Sequence, residues 1–219
     1  MIKRVFSSVG RIIIVVWTAL LVTALVSFGL ERFSLAFVSL ATLLLSFAPI
    51  LLARRFSLRL PMPFVFACTV FLIASLVLGE AFDFYNRFWW WDLALHTSAA
   101  VGFGLVGYLF VLMLFEGDRF AAPPSALALI AFCVAMTLGV LWEVFEFAAD
   151  IAFGLNMQKS GLNDTMGDLI VNALGAFVAS LAGYFYSRFE HAGIFGKAID
   201  QFVQLNRRYF RKAIKRLRR

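Results

Sequence analysis

An all-α, polytopic transmembrane helix bundle of about six spans, ending in an amphipathic basic surface helix, is the fold this sequence predicts. Three observations lead there. Hydrophobic residues make up 62% of the 219 positions and charged residues only 15%, whereas soluble domains carry roughly 25% charge. Apolar runs suited to crossing a hydrocarbon core of about 30 Å recur six times. Lys and Arg are distributed unevenly among the segments between those runs.

The first run, residues 12–30, follows "MIKRVFSSVGR" and resembles a signal peptide at first sight. It is longer than an h-region of about 7–15 residues and lacks a small-x-small cleavage site, so it is expected to be a retained span. The others are residues 33–52, 64–78, 93–115, 125–141 and 169–186. The third and fifth are short, and each lengthens only by running through polar residues at its later end. Residues 1–190 are expected to form the bundle and 191–219 a cytoplasmic tail. Cys68 and Cys133 lie within apolar runs and read as two buried thiols, with no disulfide or metal framework.

With both termini on the cytoplasmic side, 17 of the 20 Lys and Arg residues fall inside and only Arg32, Arg87 and Lys159 outside. The positive-inside rule therefore selects that orientation. Acids run the other way. Eight of the 13, namely Glu80, Asp83, Asp92, Glu143, Glu146, Asp150, Asp164 and Asp168, gather at the outer ends of spans three to six. In the tail, Phe195, Ala198, Ile199, Phe202, Tyr209, Ala213 and Leu217 recur at helical spacing with basic residues between them. A helix of this pattern is expected to lie on the membrane surface, with its cations toward anionic headgroups. A short tail tethered to a bilayer argues against nucleic acid as a partner.

Three short stretches carry the polar residues. In "WWWDLALH", the tryptophans suit an aromatic belt and Asp92 suits an N-cap, but His96 lies one turn deeper on the same helix face. In "LWEVFEFAAD", Glu143, Glu146 and Asp150 share one face at i, i+3 and i+7. Carboxylates at a helix C-terminus oppose the macrodipole, so these need a compensating partner. In "LNDTMGDLIVNALGA", Thr165 and Asp168 fit a capping box. Asp164, Asp168 and Asn172 nevertheless carry polarity two turns into the span, and Gly175, Ala176, Ala179 and Gly183 continue as a small-residue packing face. Ionisable groups cost about 2.5–3.5 kcal/mol each at the centre of a membrane helix and usually face a cavity or one another. The three stripes are therefore expected to converge, with Asp150 and Asp164 at the rim.

These stretches resemble the Asp-x-x-x-His, Glu-x-x-Gln and Asp-x-x-x-Asn-x-x-Gly pattern of VanZ-like membrane proteins. Over roughly residues 80–185 they are more similar still to the YjdF-type bacterial inner-membrane proteins of that superfamily. Two positions depart from the pattern: Leu93 stands where Lys is frequent, and Glu146 stands in place of Gln. The resemblance implies a bacterial envelope setting and points to Asp92, His96, Glu143, Glu146, Asp168 and Asn172.

Carboxylates with one imidazole suit a divalent cation. On the leading reading, His96, Glu143, Glu146 and Asp168 are ligands and Asp92 orients or deprotonates His96. Asp92 and His96 are then the catalytic pair of a metal-assisted enzyme acting on a lipid or lipid-linked envelope substrate. Asn172, Asp150 and Asp164 complete the ligand pocket. Two other classes remain open: a cation- or proton-coupled transporter or ligand-binding module, and a structural subunit of an envelope complex.

Overall fold

The computed structural model describes residues 2–115, 122–189 and 193–210, residues 2–9 and 194 by their backbone alone. Helix is the dominant structure, and no strand occurs among the described residues. Among the described residues, six helical segments are long and apolar enough to cross a membrane: Gly10–Gly29, Phe33–Arg55, Met62–Ala81, Trp91–Leu114, Pro124–Phe153 and Leu162–Phe189. The chain is an all-α, polytopic membrane protein. It divides into two compact units, residues 1–91 and 92–219.

In the first unit, α1 (Ile2–Gly29) packs on α2 (Phe33–Ser46). The second span continues as α3 (Ala48–Arg55), with the break at Phe47 just before Pro49. Proline brings no backbone N–H and crowds the preceding turn, which accounts for the interruption. The third span begins as α4 (Met62–Leu72) and changes over Ile73–Ala81 into a π-helix. The wider turn persists to its end, where the Phe82 amide donates to the Val77 carbonyl at 3.0 Å. A short α5 (Phe84–Arg87) follows, and Tyr85 closes over the bare backbone of Gly79 while its hydroxyl meets Ser75 at 3.0 Å.

The second unit is built on α6 (Trp91–Leu114), α7 (Pro124–Phe153) and α8 (Leu162–Phe189). Their contact surfaces are made of small residues, as the sequence of α8 predicts. A methyl group on Gly175 would stand 2.5 Å from the Thr97 carbonyl oxygen and 3.0 Å from Ala100 Cβ. Gly104 meets Ala179 in the same manner, and Gly107 meets Val134. Gly183 receives the ring of Tyr108, whose hydroxyl pairs with Ser187 Oγ at 2.6 Å. Lipid tails are as apolar as Leu, so close backbone approach replaces the hydrophobic drive available in water.

Two expectations need correction here. Cys133 is exposed and Cys68 half-buried, because α7 turns Cys133 away from its neighbours while Ala131 and Ala135 face inward. The tail helix, α9 (Gly193–Leu205), does have an apolar stripe, but Ile199, Phe202 and Val203 are buried within the protein and not presented to lipid. The Tyr186 hydroxyl of α8 donates to Asp200 at 2.7 Å and ties α9 down. A 3-10 turn at Arg207–Tyr209 and a buried Phe210 complete the docking. The basic run at 211–219 lies outside the described residues.

Gly175→Ala is expected to cost about 1–3 kcal/mol through overpacking, read as a lower thermal midpoint in detergent. Gly102→Ala on α6, where an added methyl meets nothing within 4 Å, should leave the midpoint unchanged or raise it.

Candidate metal centre

α7 has 30 residues and so runs about 45 Å, well beyond the hydrocarbon thickness. Its last three turns carry Glu143, Glu146 and Asp150. If this segment were a helix end bathed in water, its carboxylates would point outward. The opposite holds: Glu143 is 4% exposed and Glu146 8%, whereas Val144 is 57% and Phe147 54% exposed. Acids inside and hydrocarbon outside is the pattern of a helix in apolar surroundings.

α6 supplies Asp92 in its first turn and His96 one turn later. Asp92 sits inside the helix and not at a cap; its charge still suits the positive end of the dipole. α8 supplies Asp168 and Asn172, both buried. It begins at Leu162, one turn earlier than a capping box at Thr165 requires, so that expectation fails. Thr165 lies inside the helix, and its hydroxyl accepts from Gln158 Nε2 at 2.5 Å.

The ring of His96 stands between two sets of groups. On one side, Nε2 is 3.6 Å from Asp92 Oδ1 and 3.9 Å from Asp168 Oδ2. On the other, Nδ1 is 3.6 Å from Glu143 Oε1 and 3.3 Å from Asn172 Nδ2. Asp92, His96 and Asp168 each offer one ligand atom, all within 4.8 Å of one another. Ligands about 2.1 Å from a tetrahedral ion lie about 3.4 Å apart, close to the spacings around Nε2.

Three buried oxygens here have no hydrogen-bond partner: both of Glu143 and Oδ2 of Asp168. Such a group costs roughly 1–3 kcal/mol and more when charged. They lie on opposite sides of the ring, Asp168 Oδ2 toward Nε2 and Glu143 Oε1 toward Nδ1.

Of the predicted residues, Asp92, Glu143, Asp168 and Asn172 converge on the imidazole of His96. Glu146 is buried one turn from Glu143 and accepts from Trp142 Nε1 at 2.8 Å. Asp164 is half-buried and close enough to act electrostatically on Asp92, His96, Glu143 and Asp168. Asp150 has a different task. Its Oδ1 accepts from the Met157 amide at 2.8 Å and its Oδ2 from the Gln158 amide at 2.9 Å. It therefore fixes the loop after Gly154, whose left-handed φ of 65° ends α7. That loop holds Lys159 within electrostatic range of Asp92. Sequence reading passed over Gly139: a methyl there would stand 2.9 Å from Asn172 Nδ2, so its bare backbone seats the amide. Its place one turn before Glu143 was the available signal.

The family described as "Predicted membrane protein (DUF2238)" matches residues 11–189. The chain belongs to that family. A protein from Thermotoga maritima, described as "Uncharacterized protein", is 36% identical over 109 residues, covering 49% of this chain and 55% of the relative. The chain thus spans about half the length of that relative. No solved structure matches.

Asp150→Ala is expected to leave the Met157 and Gln158 amides without their acceptors, so that both exchange faster, with a stability loss of about 1–3 kcal/mol. Hydrogen exchange resolved at those amides is the measurement.

Proposed function

We propose that the protein is a metal-dependent enzyme of the bacterial inner membrane, acting on a lipid or lipid-linked envelope substrate. The observation that carries this reading is the convergence of Asp92, His96 and Asp168 from two helices, with an orphaned, 1% exposed Asp168 oxygen facing the imidazole. Three protein ligands leave coordination positions open, as catalytic sites do and closed structural sites do not. Two carboxylates and one imidazole suit Zn²⁺, Mn²⁺ or Fe²⁺. When bound, such an ion supplies Lewis acidity and an activated water at neutral pH.

The chain's own residues then divide the work. Asp92, His96 and Asp168 hold the ion, a set that differs from the sequence assignment in including Asp92 and leaving out Glu143 and Glu146. Glu146, buried like Glu143 and held by the indole of Trp142, is the candidate proton acceptor. A phosphate-bearing headgroup would be repelled by so many acids, and a divalent cation with Lys159 nearby removes that objection. Resemblance to the VanZ-like and YjdF-type proteins supports an envelope setting, and the Lys and Arg distribution supports cytoplasmic termini with the site toward the outer face.

Transport is less well supported. Between Asn172 and Ser180, α8 buries only Gly175, Ala176 and Ala179 on its packed face, and Gly175 lies against α6 backbone. That is about 12 Å of dry contact, with Ser180 Oγ bonded back to the Phe177 carbonyl at 2.9 Å. A conduction path needs polar groups across this depth.

Purified protein is expected to hold about one divalent ion per chain by elemental analysis after Zn²⁺ or Mn²⁺ loading. His96→Ala and Asp168→Asn should each lose it while still inserting into the membrane. Retention of the ion by both variants would remove the basis of the proposal. For orientation, a cysteine at position 159, in a Cys68→Ser, Cys133→Ser background, should react with a membrane-impermeant maleimide added to intact cells. Labelling only after lysis would reverse the topology.

A further inference from the structure

The two sides of the His96 ring are chemically distinct, and this has a consequence for Glu143. An imidazole that binds a metal through one nitrogen carries its proton on the other. That N–H is almost always donated to a carboxylate, carbonyl or water, which sets the tautomer and the ring orientation. Around His96, the two carboxylates able to share an ion are both on the Nε2 side. The Nδ1 side holds Glu143, 3.6 Å away, and the Asn172 amide.

We infer that Glu143 is the positioning carboxylate of the metal centre: it accepts Nδ1–H of His96 and directs Nε2 to the ion, with Asn172 as the second clamp on the same nitrogen. This rests on the metal-dependent reading above, and it replaces a ligand role for Glu143 by one acting through His96.

Three features support it. Glu143 is buried, its oxygens make no hydrogen bond of ordinary length, and the donors that bear on it are the His96 imidazole and the Thr165 hydroxyl. Its distance to Nδ1 exceeds a hydrogen bond by only a few tenths of an ångström. Asn172 cannot retreat from the ring, because it rests on Gly139 of α7 and is carried by α8. With the proton on Nδ1, the amide turns to present Oδ1, an end-for-end exchange that leaves its shape unchanged.

The test reads the nitrogens directly. The sequence has two histidines, His96 and His191, so His191→Gln leaves one imidazole to label with ¹⁵N. Full-length protein in micelles, loaded with ¹¹³Cd²⁺, should show cadmium coupling at Nε2 and a one-bond proton coupling at Nδ1. Coupling at Nδ1 overturns the assignment. In parallel, Glu143→Gln should weaken Zn²⁺ affinity about 10–100-fold. At saturating Zn²⁺ it should keep one ion per chain, with an X-ray absorption first shell of one imidazole and carboxylate oxygens unchanged. Unaltered affinity, or a first shell short of one carboxylate, overturns the positioning role, the second outcome making Glu143 a ligand. Should Glu143→Gln fail to fold, the cadmium spectrum decides alone. If the wild-type chain binds neither Zn²⁺ nor Cd²⁺, both this inference and the reading beneath it fall, whereas binding with the wrong nitrogen fells this inference only.

Discussion

A charged group inside a membrane protein must find its solvent within the protein, and the second unit of this chain is organised around that constraint. Buried carboxylates on α7 and α8 have nowhere to face but α6, and α6 answers with one imidazole. The apolar residues interleaved with Glu143 and Glu146 then have nowhere to face but lipid. The small residues of the three helices follow from the same need. Reaching from α8 to His96 takes a backbone approach that only Gly175, Gly104 and their neighbours permit. Polar contacts and close packing are thus one arrangement seen at two depths.

Much of this was legible in the residues themselves. Hydropathy marks all six spans, and the later ends of the third and fifth continue through Glu80 and Glu143 as their short apolar lengths require. Spacing alone puts Asp92 with His96, and Asp168 with Asn172, on common faces. Glu143 of the i, i+3 pair on α7 joins them at the imidazole.

What stayed hidden has physical reasons. Periodicity gives the face of a helix but not which nitrogen of His96 a carboxylate approaches: Asp92 lies at Nε2 and Glu143 at Nδ1. Asp150 shares its stripe with Glu143, yet about two turns further on it stands at the end of α7, where two loop amides donate to it. The π-helical stretch at Ile73–Ala81 leaves no compositional mark, and the fit of Tyr85 on Gly79 within it is a tertiary contact that spacing does not reveal. Nor did the apolar stripe of α9 distinguish lipid from protein as its partner; both reward the same side chains.

The seat of Asn172 on Gly139 has a mechanical meaning. No side chain separates that amide from the backbone of α7, so nothing compressible lies between the two helices at the level of the imidazole. A change in their separation would pass into the position of Asn172 undamped, and from there to the ring it touches. The centre is in effect a caliper whose jaws are α7 and α8. Forces that squeeze or spread these helices sideways, such as a change in the lateral pressure of the surrounding lipid, act on the same coordinate that aligns the histidine.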